Sequence, residues 1–551
     1  MERKRTTKIK VGKKKVRIEE SSEELMFMER RILTGLIVST DYLRQIRRIW
    51  KPEFIESSSS RLVAGWCLEY YDKYEKAPLA EIEYIFEEKK KKLAPKIADG
   101  IDSFLVGLSD EFKRAGKFNV QYLVDQTKEY LRGQNIDSLM EQVQSFLDSG
   151  DLDKAKNLIV NFHDITNDKG NAIDLGNREE ILSLLDRAFN NEAQQVFTYP
   201  KALGKFLNDL LVRGGFIGVM APEKRGKTYF LLDAADRAVR QGCNVAFFQV
   251  GDMTDEQQIR RYAVRLTGKP DREKYLGVHY RPVLDCIKNQ TDDCDRKVRE
   301  CTFGPFSGDS PNDVLRKDYS ELLEAREEAR GYKVCTNCKE FQLNHWGAIW
   351  YKKMVLNQTV GVEEAKRVFL KHMVKRNRRF KLSTHPSQTV TVEDLETILN
   401  SWEKDDGFVA DLILIDYADI LAASIKGEVR HQENDKWMKL RGLSQKKHAL
   451  VIAPTQTDAD SYERDIITTK NYSEDKRKFG HVTAMLGLNQ DKEGKEKRKK
   501  ILRINKVIVR EDGFAVHDVV HVLQDLVCGK PIVTSYFAPK PSFEVKNKND
   551  E

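Results

Sequence analysis

No run of roughly eighteen or more uncharged apolar residues occurs in this chain, so no membrane-spanning helix is expected. No apolar segment follows the basic N-terminal run (Arg3, Lys4, Arg5, Lys8, Lys10, Lys13, Lys14, Lys15, Arg17), so no secretory leader is expected either, and the chain is expected in the cytoplasm. A strong charge of one sign is also missing. The net charge of +8, from 94 basic and 86 acidic residues, permits a polyanionic partner without requiring one. Cysteine is too sparse and too unevenly placed for a disulfide framework. Five of the eight fall between Cys286 and Cys338, while Cys67, Cys243 and Cys528 stand alone. A reducing compartment with one local metal site accounts for that clustering. Internal repeats and long low-complexity segments are absent.

What is present is a charged, globular chain of 551 residues, with 40% hydrophobic and 33% charged residues, long enough for about two to four domains. Residues 1–22 read as a basic disordered tail. Residues 23–115 read as an all-α domain, with Met28, Ile32, Leu33, Leu36 and Ile37 at helical spacing. Residues 116–190 read as a helical linker, in which 120–131 and 136–147 are expected as two amphipathic helices. An α/β domain is expected over 191–538, interrupted at 270–400 by an insertion that carries the clustered cysteines. Residues 539–551 read as a polar tail.

Two stretches of the α/β part carry chemistry. Residues 216–220 form an apolar run that leads into Ala221-Pro-Glu-Lys-Arg-Gly226-Lys227-Thr228, followed by an amphipathic helix. A loop of this kind offers backbone N–H groups and a helix N-terminus to phosphates. Lys227 would meet the β- and γ-phosphates, and the Thr228 hydroxyl would meet Mg²⁺. Ala221 stands where such loops carry their first glycine, which is tolerable only if its φ stays negative. Downstream, Asp416 ends the apolar run Leu412-Ile-Leu-Ile415, the placement of a carboxylate that supports Mg²⁺ at the carboxyl edge of a sheet.

With these residues in place, the chain resembles the DnaB-type replicative helicases, in the form a phage encodes. Leu412-Ile-Leu-Ile-Asp-Tyr-Ala-Asp-Ile-Leu421 is similar to that family's second acidic strand, and Val451-Ile-Ala-Pro-Thr-Gln456 to its sensor strand. Phe247-Phe-Gln-Val-Gly-Asp-Met253 is similar to its Phe-Phe-Ser-Leu-Glu-Met strand. The resemblance implies a RecA-like P-loop ATPase domain behind an all-α domain, in a homo-hexameric ring. Its implied ligands are ATP and Mg²⁺, and its implied partners are single-stranded and forked DNA, a primase and a helicase loader. It places Asp252 where the family carries the carboxylate that polarises the attacking water, with Glu256 as the nearby substitute. Gln456 becomes the sensor of the γ-phosphate. Lys506 and Arg510 become the residues that reach a neighbouring subunit's nucleotide. Arg477, Lys478 and the backbone of Gly480 fall where the family grips DNA phosphates.

The insertion lies outside the resemblance. Cys335-Thr-Asn-Cys338 is a C-x₂-C pair, and Cys286 and Cys294 supply two more thiols, which together suit a structural tetrahedral Zn²⁺. Cys301 and His345 are competing ligands. The expected activity is ATP-driven unwinding of DNA, 5′ to 3′ by the resemblance. The rivals are a RecA-like DNA-dependent ATPase or recombinase that does not unwind, and a ring assembly factor that does not hydrolyse ATP.

Overall fold

The computed structural model describes residues 7–11, 14–18 and 22–537, apart from 48, 92, 116–118, 161–174, 252, 298, 339–345, 375–377, 472–475, 511–512 and, within 176–194, all but 181, 182, 185 and 189. The chain forms two compact units, residues 1–191 with 403–407, and residues 192–402 with 408–551.

In the first unit, two strands lie within the basic run that charge alone reads as a tail. They are β1 (Thr7–Val11) and β2 (Lys14–Ile18), paired antiparallel. Helices follow. Ile32, Leu33, Leu36 and Ile37 of the helix Ser22–Val38 are buried against Tyr42, Leu43 and Ile46 of Thr40–Arg47 and Val63, Trp66 and Cys67 of Ser58–Tyr74. Ser57 caps the last of these by accepting the Ser60 N–H at 3.3 Å. The two helices expected within 120–147 are one, Val120–Asp148. Gly133 is the main breaker available there, and a lone glycine costs about 1 kcal/mol without ending a helix. Leu123 and Val124 lie in the bundle core, so the expected linker begins as part of the bundle.

The second unit is built on a nine-stranded sheet. Its strands are β3 (Phe216–Ala221), β4 (Val245–Val250), β7 (Phe380–His385), β8 (Leu412–Asp416), β9 (Leu450–Gln456), β10 (Ala484–Asn489), β11 (Ile501–Val509), β12 (Val519–Asp525) and β13 (Lys530–Tyr536). The spatial order is β13-β12-β11-β10-β3-β9-β8-β4-β7. The six strands from β10 to β7 are parallel, and β11 to β13 extend the sheet antiparallel. Ile217 and Val219 face one buried layer with Leu231, Ala234 and Ala238 of the helix Lys227–Arg240. Phe216 and Met220 face the opposite layer with Trp437, Leu440 and Leu443 of the helix Val429–Lys446. Burial on both faces is why the central strands are continuous apolar runs. The expected α/β class with a parallel sheet, behind an all-α part, is the class observed.

β3 and β4 are consecutive in sequence but not neighbours, because β9 and β8 insert between them. The insertion also ends sooner than expected, since β7 joins the sheet beside β4. β7 is an edge strand with every residue half-buried, so it lacks the apolar run that marks β3 or β8. The rest of the insertion is organised by a ten-residue antiparallel hairpin, β5 (Gly277–Cys286) with β6 (Gly347–Leu356). It packs on Ile501, Leu523 and Tyr536 of the antiparallel strands. Gly347 permits that approach, because a Cβ there would lie 2.7 Å from the Tyr536 ring. The basic run 495–500 contains a short helix (Lys495–Lys499) that also seats the hairpin. Tyr351 donates to the Lys499 carbonyl at 2.9 Å, and Lys500 to the Tyr280 carbonyl at 2.5 Å.

Candidate nucleotide site

The carboxyl ends of β3, β9, β8 and β4 lie side by side, and the parallel register sets which residues meet. Ala221 pairs with Gln456, and Gln249 pairs with Asp416. Crevices at such ends, where consecutive strands separate, are where α/β sheets bind ligands. Ala221 belongs to β3 and is not among the residues with positive φ. An extended residue tolerates a Cβ, so alanine costs the loop nothing at that position. Positive φ falls instead on Lys224 (+58°) and Gly226 (+88°), the turn into the helix Lys227–Arg240. Nothing lies within 4 Å of a Cβ built at Gly226, so the requirement for glycine there is conformational.

The loop tip is tied down from outside. Arg225 donates to the Gln490 carbonyl at 2.8 Å, and the Tyr462 hydroxyl to the Glu223 carbonyl at 3.2 Å. Lys227 folds back over the loop and donates to the carbonyls of Ala221 (2.8 Å) and Pro222 (3.3 Å). Burial pushes its ammonium pKa down, and the charges of Asp419, Asp416 and Glu223 push it up.

Asp416 is 4% exposed. Burial raises its pKa; the Thr228 hydroxyl, the charges of Arg261 and Lys227, and the Gln249 amide act in the opposite direction. Thr228 and Asp416, the pair expected to serve the metal, are thus brought together. Gln249 donates to the Asp416 carbonyl at 3.2 Å and is itself bonded by Gln258. Gln456 donates from its side chain to the Tyr417 hydroxyl at 3.3 Å.

A cleft of about 500 Å³ opens beside these groups, lined by Lys224, Thr228, Arg260, Arg261, Arg272 and Asp416 among others. Its cationic walls suit a polyphosphate. Arg261 lies 5.3 Å from the Tyr229 ring centroid, stacked over it. The arginines were not picked out from the sequence, although 260 and 261 lie in the capped helix that directly follows β4, Asp255–Thr267.

The remaining expected residues divide. Asp252 and His345 lie outside the described residues. Glu256 is exposed on the first turn of the helix Asp255–Thr267, with its carboxyl held low by hydrogen bonding from Thr254. Gly251 has φ +98°, a backbone conformation that favours glycine. Lys506 lies over the Phe206 ring at 5.0 Å, and Arg510 donates to the Gly480 carbonyl; neither lines this cleft. Arg477 and Gly480 are exposed. Lys478 is not part of an exposed basic track. It is 1% exposed, pairs with Asp419 at 3.0 Å and Glu433 at 2.9 Å, and lies 5.3 Å from the Trp437 ring. A lysine in a polar loop reads as solvated, and its acidic partners are distant in sequence.

In the insertion, Cys286, Cys294 and Cys338 line one cavity of about 290 Å³. Asp285 accepts the backbone N–H groups of both Cys286 and Cys335 at 2.8 Å, which ties the two thiol-bearing segments together. Burial pushes the Cys286 thiol up to about 11, while the N–H groups of Asn289 and Lys288 aimed at its sulfur pull the other way. No three of these sulfurs lie within 4.8 Å of one another. Among the described residues, the group that does is His279, Asp525 and Cys528. That group already holds a cation, because Arg281 donates to Asp525 at 2.7 Å.

No protein-family model and no curated protein matches the chain. Among the solved structures to which it is similar are one described as an ATPase domain and one described as a DnaB-like replicative helicase and its interactions with primase. The first is 13% identical, with 67% of this chain and 100% of that one covered and a TM-score of 0.40. The second is 12% identical, with 93% and 99% covered and a TM-score of 0.41.

Proposed function

We propose that this chain is an ATP-driven replicative DNA helicase, a homo-hexameric ring that moves 5′ to 3′ along one DNA strand and separates the duplex. The observation that carries the reading is the meeting of Lys227, Thr228, Asp416 and Gln456 at the carboxyl ends of three adjacent parallel strands. In that arrangement the loop N–H groups and Lys227 receive the β- and γ-phosphates, and Lys227 exchanges the Ala221 and Pro222 carbonyls for phosphate oxygens. Thr228 and Asp416, a hydroxyl and a carboxylate that line the same cleft, have the donor chemistry for Mg²⁺. When bound, Mg²⁺ neutralises charge on the phosphates. Arg261 adds fixed positive charge from the cleft wall.

Asp252 is the proposed base for the attacking water. Gln456, one strand from the loop, is placed to hydrogen-bond the γ-phosphate. Lys506 and Arg510 lie away from this chain's own cleft, as residues serving a neighbouring subunit would. Arg477 and the backbone of Gly480 are the proposed contacts to the DNA phosphates, and primase and a loader are the proposed protein partners.

For the insertion we propose a structural Zn²⁺ held by Cys286, Cys294, Cys335 and Cys338. The support is the shared cavity and the Asp285 clamp on both segments. Four thiolates leave no open coordination position, so the metal would fold the insertion and take no part in hydrolysis. Metal analysis of the purified chain is expected to find one zinc per chain, lost on cysteine replacement.

The test of the main reading is ATP hydrolysis with and without single-stranded DNA, beside strand displacement on a forked duplex. DNA-stimulated hydrolysis with displacement is expected. Stimulated hydrolysis without displacement would favour a recombinase-like ATPase, and no hydrolysis a ring assembly factor.

A further inference from the structure

Asp419, three residues beyond Asp416, was not expected to do anything, yet it stands between two parts of the molecule that a motor must connect. One of its carboxylate oxygens accepts the backbone N–H of Gln456 at 3.0 Å and the Thr455 hydroxyl at 2.8 Å. The other accepts the Lys478 ammonium at 3.0 Å. Among carboxylates, Asp419 also exerts the largest electrostatic pull on Lys227 of the phosphate loop. On the far side, Lys478 belongs to the short helix Lys476–Gly480, whose Arg477 and Gly480 are exposed.

We infer that Asp419 is a positioning residue that couples the nucleotide cleft to the basic segment 476–480, through its buried ion pair with Lys478. The inference rests on the helicase reading above.

Four features separate this from an ordinary structural ion pair. The charges alternate from Lys227 through Asp419, Lys478 and Glu433 to Lys436; the last four are joined by direct contacts, and Lys436 also donates to the Asp419 carbonyl at 2.8 Å. Lys478 is 1% exposed, so water screens its pair with Asp419 less than it would a surface pair. Asp419 also grips the sensor strand at Gln456 itself, so a shift of that residue toward phosphate carries the carboxylate with it. Finally, a cavity of about 490 Å³ borders Asp419, Gln456, Thr457, Glu433 and Lys436, so the carboxylate is not locked by packing on that side. Lys478 is therefore the root of the basic segment rather than one of its contacts to DNA.

The prediction concerns a ratio. The affinity of the full chain for a fluorescent oligodeoxythymidine is measured by anisotropy with a non-hydrolysable ATP analogue and again with ADP. Lys478→Met and Asp419→Asn are each expected to reduce the wild-type ratio by at least about fivefold, the low end of coupling between linked sites. The asparagine keeps an acceptor for Thr455 and Gln456 while removing the charge, so it stands as the gentler variant if Lys478→Met fails to fold. The double variant should be no worse than either single one, because both break the same link. Lys478→Arg should restore most of the ratio. Arg477→Ala should instead weaken DNA binding with both nucleotides and leave the ratio alone. A wild-type ratio of one would sink the helicase reading and this inference together. A wild-type ratio of fivefold or more that survives in both single variants, or a double variant that multiplies their effects, would sink the inference alone.

Discussion

Asp416 and Asp285 are both carboxylates buried at strand ends, and both have pKa values raised by that burial, yet they do different work. Asp285, in the insertion, accepts the N–H groups of Cys286 and Cys335, the Tyr332 hydroxyl at 2.6 Å, and the amides of Gln290 and Asn289. Its acceptor capacity is filled by the fold. Asp416 has the Thr228 hydroxyl beside it, the Gln249 amide donates to its backbone carbonyl at 3.2 Å, and a cationic cleft opens beyond. A buried carboxylate costs stability unless donors satisfy it, so one left partly unsatisfied at a sheet edge marks a place for a ligand. Asp525 sharpens the contrast. Burial there is outweighed by hydrogen bonds from His279 and Arg281, which hold its pKa well below the ordinary carboxylate range.

The widest separation between the two regions is in catalysis. Lys227→Ala is expected to reduce ATP hydrolysis on the order of 10²- to 10³-fold, the cost of one charge-stabilising donor, with little change in melting temperature. A melting temperature that falls with activity would mean that Lys227 is structural.

The second separation is in stability and has a pH signature. Asp525→Asn leaves Arg281 without its carboxylate and is expected to cost about 3 kcal/mol at neutral pH. Because the folded pKa of Asp525 lies below its unfolded value, the stability it contributes is complete above about pH 4 and is lost as pH falls through the folded value. Thermal melts of the two proteins should therefore differ by a constant amount near neutrality and converge in acid. A gap that is undiminished at about pH 2 would assign the loss to packing.

A third, smaller effect tests the phosphate loop as a backbone device. Gly226→Ala should cost about 1–2 kcal/mol through its φ of +88° alone, and should weaken nucleotide binding measured with a fluorescent ATP analogue. Ala221→Gly, by contrast, should leave binding unchanged. The smallest effect is on the DNA side. Arg477→Ala should lower the salt dependence of DNA affinity by about one counterion, with no change in hydrolysis without DNA.

The parts legible from sequence were those in which one local pattern carried the signal. The apolar run of β3, the Gly226-Lys227-Thr228 turn and the helix behind it stand together in the chain, and so does the run that ends in Asp416. What escaped was set by pairing at a distance. β7 is half-buried because it lies at an edge, beside a strand far upstream in a register that no periodicity shows. Lys478 read as a contact to DNA phosphates because Asp419 and Glu433, which pair with it, come from other elements. Ala221 looked like a defect until its extended backbone showed that the loop's left-handed turns fall at Lys224 and Gly226.

The most direct test of the contrast between filled and open carboxylates is the rate of Mg²⁺-dependent ATP hydrolysis by the full chain with single-stranded DNA, wild type beside Asp416→Asn. The expected result is DNA-stimulated turnover in the wild type and its loss in a variant that melts at or above the wild-type temperature, because a buried carboxylate with few donors has been replaced by a neutral amide. An Asp416→Asn protein that hydrolyses ATP at the wild-type rate, or a wild type with no turnover, would contradict the account.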